Sequence, residues 1–183
     1  MNFDKTVDSI LNSLVTEQTV ESVAILPGGF KPPHKGHYEA LKHIIDLYDA
    51  TKAVIFIGNK ERDGITADQS KNIWTLYGET LDGIDVEVYI SDVTPVKSVY
   101  EYADENKDKQ IYVGAGINDM RRYDYFNKNK DVYSHVTVVQ IPDKFGRISG
   151  TATREKLQNN TEDAFDFIPD QALDYKNVIK DIL

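Results

Sequence analysis

The stretch ILPGGFKPPHKGHYEAL, residues 25–41, joins an apolar run to a helical pattern. The junction carries Gly28 and Gly29, where the backbone could approach a ligand closely because no side chain intervenes. His34 and His37 are three residues apart, so they share one face of the first turn of the following helix. A helix N-terminus already attracts anions. The junction therefore predicts an anion site at the start of a helix.

The rest of the chain alternates strand-like and helix-like segments. Runs rich in β-branched residues predict strands at 22–27, 53–58, 86–90, 110–116 and 135–142. Helical patterns at 34–49, 66–79 and 94–106 fall between them. This alternation predicts an α/β fold, a Rossmann-like doubly wound parallel sheet of about five strands, with the order 3-2-1-4-5. Ligands of such sheets bind beyond the carboxyl ends of the strands, where residues 28–37 would lie.

The whole chain, residues 1–183, is expected to form one domain. An apolar stripe at helical spacing predicts an N-terminal helix within residues 1–20; its members are Phe3, Val7, Ile10, Leu11 and Leu14. The α/β core would span 22–158, and residues 161–183 would form one or two closing helices interrupted by Pro169. The oligomeric state stays open at this point.

Composition narrows the class of protein. With 40% hydrophobic and 28% charged residues, the 183-residue chain is typical of a globular protein. No run approaches the roughly 20 apolar residues that cross a bilayer, and the N-terminus does not resemble a secretory signal. The chain has no cysteine, and we expect a cytoplasmic location. A net charge of −9 argues against nucleic acid as a partner, but a small phosphorylated ligand needs only a few local cations.

A second stretch, RISGTATREKL at residues 147–157, predicts another helix start. Ser149 or Thr151 could cap this helix, and Arg154 would present a planar, always-charged fork suited to phosphate oxygens. Taken alone, the pattern also fits a capped surface helix.

Both stretches resemble elements of the HxGH nucleotidylyltransferase superfamily, which includes nicotinamide mononucleotide and phosphopantetheine adenylyltransferases and glycerol-3-phosphate cytidylyltransferase. Residues 28–37 are similar to its G-[ST]-F-x-P-x-H-x-G-H element, with Gly29 where relatives carry a hydroxyl. Residues 148–154 are similar to its I-S-[ST]-T-x-x-R element, with Gly150 in place of the second hydroxyl. The two elements occur in the family's order.

The resemblance implies roles for particular residues. The catalytic ones would be His34, His37 and Arg154. Those that would bind nucleotide or phosphate are Gly28, Gly29, Phe30, Lys31, Gly36, Gly114, Gly116, Asp119, Ser149, Gly150 and Thr151. In the loop after the second strand, Lys60 and Arg62 would meet the acceptor phosphate, a role that Lys31 could share. No protein metal site is implied, because Mg²⁺ would arrive with the triphosphate as the cofactor.

The implied reaction transfers a nucleotidyl group from a nucleoside triphosphate to a small phosphomonoester and releases pyrophosphate. ATP is favoured over CTP because the second element ends in arginine. The acceptor could be nicotinamide mononucleotide, phosphopantetheine, or a sugar or alcohol phosphate.

Other classes of protein fit less well. Two histidines three apart could share a metal, but no nearby acidic residue completes a ligand set. A dinucleotide-binding oxidoreductase needs G-x-G-x-x-G after the first strand, which is absent. An aminoacyl-tRNA synthetase shares H-x-G-H, but this chain is too short for the usual appended domains and too acidic for a tRNA-binding face. A nucleotide-binding sensor without catalysis stays open, because both glycine departures remove hydroxyls.

Overall fold

A computed structural model describes residues 20–183 of the protein. Its strands and helices, in chain order, are β1 Ser22–Gly28, α1 Lys35–Tyr48, β2 Lys52–Gly58, α2 Ala67–Gly78, β3 Asp85–Ser91, α3 Pro95–Glu105, β4 Gln110–Ala115, α4 Asp124–Lys128, β5 Val136–Gln140, α5 Gly150–Gln158 and α6 Lys176–Ile182. Short 3₁₀ helices occupy Met120–Tyr123, Asp143–Arg147 and Asp170–Tyr175. The predicted N-terminal helix falls on residues outside the described part.

The strands form one parallel sheet in the order β3-β2-β1-β4-β5, which confirms the predicted fold class and strand order. The central strand β1 pairs with β2 on one side and with β4 on the other. Its end at Gly28 is in register with Ile57, one residue before the end of β2. The loops that leave these two strands therefore start side by side at one edge of the sheet.

Apolar residues cover both faces of the sheet, as the near-continuous hydrophobic strands predicted. Leu26 and Ile55 face α1, α2 and α6 in one fully packed cluster, while Ile25 and Val54 face α3 and α4 in another. The side chains of neighbouring residues in one strand thus point to opposite faces of the sheet, which follows from the two-residue period of a strand. No helix within residues 20–183 has both the length and the apolar character that crossing a bilayer requires.

The C-terminal segment differs from the prediction at Pro169. We expected Pro169 to interrupt a helix, but it precedes Asp170–Tyr175 and begins the helical part, while the residues just before it form turns. Proline suits this place because a helix start leaves its backbone N–H unbonded in any case. The carbonyl of Phe167, in the turns, accepts a hydrogen bond from the Lys35 N–H at 2.7 Å. The closing segment is therefore attached to the first turn of α1.

Candidate active site

The loop from β1 to α1 turns sharply at Phe30, whose φ of 49° lies in the left-handed region. This turn folds the Phe30 ring back over Gly28, where an added Cβ would come within 2.6 Å of the ring. The ring then packs edge-on against His37 and Trp74, at centroid distances of 4.8 and 5.3 Å. Phe30 is thus buried, and Gly28 makes room for it. Phe30 supports His37 directly and Gly28 does so through Phe30, while the nucleotide contacts that the resemblance implied for them stay a prediction.

The two histidines of the junction are coupled through the backbone. His34 is the N-cap of α1, and its backbone N–H donates to Nδ1 of His37 at 3.2 Å. The two rings stack with their centroids 3.5 Å apart. Because Nδ1 of His37 accepts this hydrogen bond, the neutral ring carries its proton on Nε2. His37 therefore keeps one N–H donor for another partner.

Burial keeps both imidazoles neutral at pH 7. Desolvation lowers the pKa of His34 from 6.5 to about 4. Desolvation, followed by repulsion from His34, holds the pKa of His37 well below 6.5; part of its surface reaches solvent, but dense packing surrounds the ring. Nδ1 of His34 is buried without a hydrogen-bond partner among the described residues. The pair thus offers uncharged polar atoms in a desolvated place, where hydrogen bonds are strong.

Lys31 braces the edge of the sheet. Its side chain is buried, and Nζ donates to the carbonyls of Gly29 at 2.8 Å and Gly58 at 2.9 Å. These bonds tie the loop after β1 to the end of β2. Burial first, and then repulsion from Arg62, lowers the pKa of Lys31 to about 8. Two of its three N–H donors are occupied, so Lys31 has one left for a phosphate.

Arg154 reaches the same loop from α5. Its Nη1 donates to the carbonyl of Lys31 at 2.9 Å, although 123 residues separate the two, and its Nη2 donates to Oγ1 of Thr151 at 3.1 Å. Ser149 caps α5 through a hydrogen bond from the Ala152 N–H at 3.3 Å. The second sequence element therefore converges on the backbone three residues before His34.

The start of α1 and the segment before α5 also touch directly. A Cβ added at Gly36 would lie 2.1 Å from the carbonyl oxygen of Phe145. We predicted that this glycine leaves room for a ligand; instead, the backbone of Asp143–Arg147 fills the space. Gly36 thus sets the distance between the histidine pair and the segment leading to α5.

The loop after β2 ends in a tight turn that brings a carboxylate to Arg154. The backbone groups of Arg62 and Ile65 exchange hydrogen bonds of 3.1 and 3.0 Å around Asp63 and Gly64, whose φ values are 52° and 82°. Oδ2 of Asp63 accepts a 2.5 Å hydrogen bond from Nε of Arg154. Lys60 and Arg62 are exposed on this loop. Asp63 was not predicted as a site residue, although Asp-Gly is a strong signal for such a turn.

The glycines after β4 have different roles. Gly114 is buried, and an added Cβ would meet the side chain of Ile44 at 2.5 Å, so this glycine lets α1 pack on the sheet and does not line the site as predicted. Gly116 is exposed, with open space where a Cβ would lie. Asp119 is also exposed and pairs with Nε of Arg122 at 3.0 Å. Gly116 and Asp119 therefore remain accessible to a ligand.

Side chains that could ligate a metal lie apart from one another within residues 20–183. In this part of the chain, no group of three or more histidine, cysteine or carboxylate side chains lies together closely enough to hold one ion. Asp63 is the carboxylate that contacts the arginine of this site.

Comparisons with known proteins establish the fold. No protein-family model and no curated protein sequence matches the chain. Among solved structures, a Vibrio parahaemolyticus protein assigned as a nicotinate-nucleotide adenylyltransferase superposes with a TM-score of 0.64 at 13% identity, over 87% of this chain and 99% of that one. The nicotinic acid mononucleotide adenylyltransferase of Plasmodium falciparum is also similar. Complexed with APC it gives a TM-score of 0.58 at 18% identity, over 89% and 96% of the two chains. Complexed with NaAD it gives 0.57 at 17%, over 89% and 97%.

These structures share the fold that the HxGH resemblance implied. Their low identity carries no residue roles by itself, so the roles in this chain must rest on its own geometry.

Proposed function

We propose that this protein is a nucleotidylyltransferase that moves AMP from ATP to a small phosphomonoester and releases pyrophosphate. The observation that carries the proposal is the hydrogen bond from Arg154 to the Lys31 carbonyl, which joins two distant phosphate-binding patterns at one loop. The shared fold of the adenylyltransferases supports it.

In nucleotidyl transfer, the side chains chiefly position the reactants and stabilise the charge that develops. The acceptor phosphate attacks the α-phosphorus in line, and pyrophosphate leaves. His37, through Nε2–H, and His34 would donate to oxygens of the α-phosphate and of the bridge to the β-phosphate. Because both rings are neutral at pH 7, they stabilise developing charge without a change of protonation state.

The far end of the triphosphate would meet α5. Arg154 supplies a fixed positive charge, and the free backbone N–H groups of the first turn, beside Gly150 and Thr151, favour an anion. Since α5 follows the segment that contacts Gly36, its distance from the histidines is set by packing. That arrangement supports binding the β- and γ-phosphates there.

Mg²⁺ is part of the proposal as a companion of the triphosphate. Its ligands would be chiefly phosphate oxygens and water. It would supply charge neutralisation at those oxygens.

The acceptor and the cellular location are proposals as well. The neighbours are nicotinate-nucleotide adenylyltransferases, so nicotinic acid mononucleotide is the first acceptor to test. Lys60 and Arg62 are exposed beside the site and would contact its phosphate. Gly116 and Asp119 would contact the nucleoside. We propose no nucleic-acid or membrane partner, and a cytoplasmic location, which is compatible with a chain without cysteine.

A substrate panel tests the proposal. ATP or CTP is incubated with Mg²⁺ and with nicotinic acid mononucleotide, nicotinamide mononucleotide, phosphopantetheine, or sugar and alcohol phosphates, and pyrophosphate and coupled product are measured. Product with ATP and one acceptor supports adenylyl transfer. Product with CTP alone moves the proposal to a cytidylyltransferase. Nucleotide binding without product from any pair favours the sensor, for which the glycines at 29 and 150 are the motivating departures.

Variants of His37 test the mechanism. In His37→Asn, the amide oxygen can still accept the His34 N–H, but the Nε2–H donor is lost. We expect turnover to fall by about 10²–10³ while the melting temperature stays close to wild type. His37→Gln is the matched control, since it keeps a donor near Nε2 and loses the acceptor. Full turnover in His37→Asn would show that this donor has no catalytic role.

A further inference from the structure

We infer that Asp63 competes with the triphosphate for Arg154: its carboxylate holds the guanidinium in the ligand-free protein and must leave when the nucleotide binds. The inference rests on the proposed function for the identity of the ligand. It assigns a regulatory role to a residue that the sequence elements of the site do not include.

The two partners differ in burial. The side chain of Arg154 is 8% exposed, whereas that of Asp63 is 50% exposed. A buried guanidinium needs a counter-anion, because an unpaired buried charge is costly. Among the described residues, Asp63 is the carboxylate that satisfies this need. The carboxylate thus approaches from the solvent side, as an incoming phosphate would.

The turn that carries Asp63 can move without unfolding its surroundings. Its two ends, Arg62 and Ile65, are hydrogen-bonded to each other, so the turn keeps its own structure. Within residues 20–183, the Asp63 side chain makes no hydrogen bond besides the one to Arg154. Displacing the tip therefore exchanges one ion pair for another.

Charge favours this exchange. Arg62 precedes Asp63 in the chain, and Lys31 contacts Arg154 through its carbonyl, so two further cationic residues adjoin the two partners of this ion pair. A nucleoside triphosphate brings several negative charges, which both attract Arg154 and repel a neighbouring carboxylate. A singly phosphorylated ligand has much less charge with which to displace Asp63.

The competition has a consequence for site occupancy. Any anion that reaches Arg154 first has to displace Asp63, so this contact lowers the affinity for all of them by the same factor. The ratio of the affinities does not change, but each anion needs a higher concentration to occupy the site. Weakly bound anions such as inorganic phosphate would therefore occupy it little, whereas a tightly bound polyphosphate still could.

The test uses the full chain and inorganic tripolyphosphate as the probe, with affinity measured by calorimetry. In Asp63→Asn, the side chain tolerates the left-handed turn but loses its charge. We expect tripolyphosphate to bind about three- to tenfold more tightly than to wild type. The gain should shrink at high salt, and inorganic phosphate should gain by a similar factor. Asp82→Asn, an exposed carboxylate at the other end of α2, is the matched control and should change neither affinity.

Weaker or unchanged binding by Asp63→Asn would overturn the inference, since a residue that orients Arg154 would lower affinity when removed. If this variant folds poorly, Asp63→Ser carries the same expectation. In steady state, Asp63→Asn should lower KM for ATP without lowering kcat. Tighter tripolyphosphate binding with no turnover by any variant would sink the proposed function and leave the competition standing. Normal turnover together with unchanged tripolyphosphate affinity in Asp63→Asn would overturn the competition and leave the proposed function standing.

Discussion

His34 is held in place by its position and by its neighbour. It occupies the N-cap position of α1 and stacks on His37, and only 4% of its surface remains exposed. The burial that fixes the pair also removes the solvent that would stabilise a charged ring. His34 therefore acts as a neutral polar group at pH 7, although a histidine beside a phosphate is easily assumed to be cationic.

Acid should destabilise the protein through His34. Its pKa is about 4 in the folded state and 6.5 when exposed, so between these values the unfolded chain binds the extra proton. Stability from this residue is complete above pH 6.5 and is lost as the pH falls toward 4, by roughly 3 kcal/mol in total. Urea unfolding of wild type and His34→Gln at pH 7 and pH 4.5 measures the effect.

Carboxylates that titrate in the same pH range affect both proteins alike. The difference in stability loss between wild type and His34→Gln therefore reports on the histidine. We expect the wild type to lose more stability than His34→Gln over this interval. Equal losses would mean that His34 is not neutralised by the fold.

The contact between α1 and Asp143–Arg147 depends on a single absent side chain. A Cβ atom added at Gly36 would lie 2.1 Å from the backbone oxygen of Phe145. The backbone cannot rotate away from it as a flexible side chain could. The same contact brings α5 toward the histidines. Packing of these two segments, together with the hydrogen bond from Arg154 to the Lys31 carbonyl, spaces this part of the site.

Gly36→Ala should therefore separate these segments. Alanine gains up to about 1 kcal/mol in helix propensity, but the clash costs about 1–3 kcal/mol, so we expect net destabilisation. Displacement of α5 by even 1 Å should lower kcat about a hundredfold. Gly29→Ala is the stability control, because nothing lies within 4 Å of its Cβ position. Chemical unfolding and initial rates measure the two effects, and wild-type kcat in Gly36→Ala would contradict this account.

Across the whole domain, the proposed site is assembled from segments that the sheet order brings together. Loops after β1 and β2 meet because these strands are neighbours in register, and α5 returns to them after β5. A protein with net charge −9 can hold a polyphosphate only if a few cations are concentrated in one place. Lys31 and Arg154 are brought together in that way.

This arrangement predicts that Arg154 distinguishes ATP from AMP. Arg154→Gln keeps a donor for the Lys31 carbonyl but removes the charge. We expect the affinity for ATP to fall about 10- to 100-fold and that for AMP to change little, because only ATP reaches the far end of the site. Lys156→Gln, on the same helix, is the control. Titration calorimetry measures both ligands, and equal losses for ATP and AMP would place Arg154 elsewhere along the nucleotide.

The amino-acid sequence by itself determined the fold class and the two elements of the site. Continuous apolar runs predict strands buried on both faces, and their alternation with helices leaves few topologies, of which the observed order is one. Of the two predicted caps, Ser149 and Thr151, Ser149 caps α5; a cap can be predicted because it is a local hydrogen bond within one turn.

Only the tertiary structure decided which glycines are used for packing and which cations lie close together. Gly114 and Gly36 look like binding-loop glycines in the sequence, yet each is required by a neighbour distant along the chain, Ile44 and Phe145 respectively. The partnership of Asp63 with Arg154 joins residues 91 positions apart, and no local pattern encodes it. Such contacts depend on how the elements pack against one another, whereas sequence patterns report only the conformation and burial of each element.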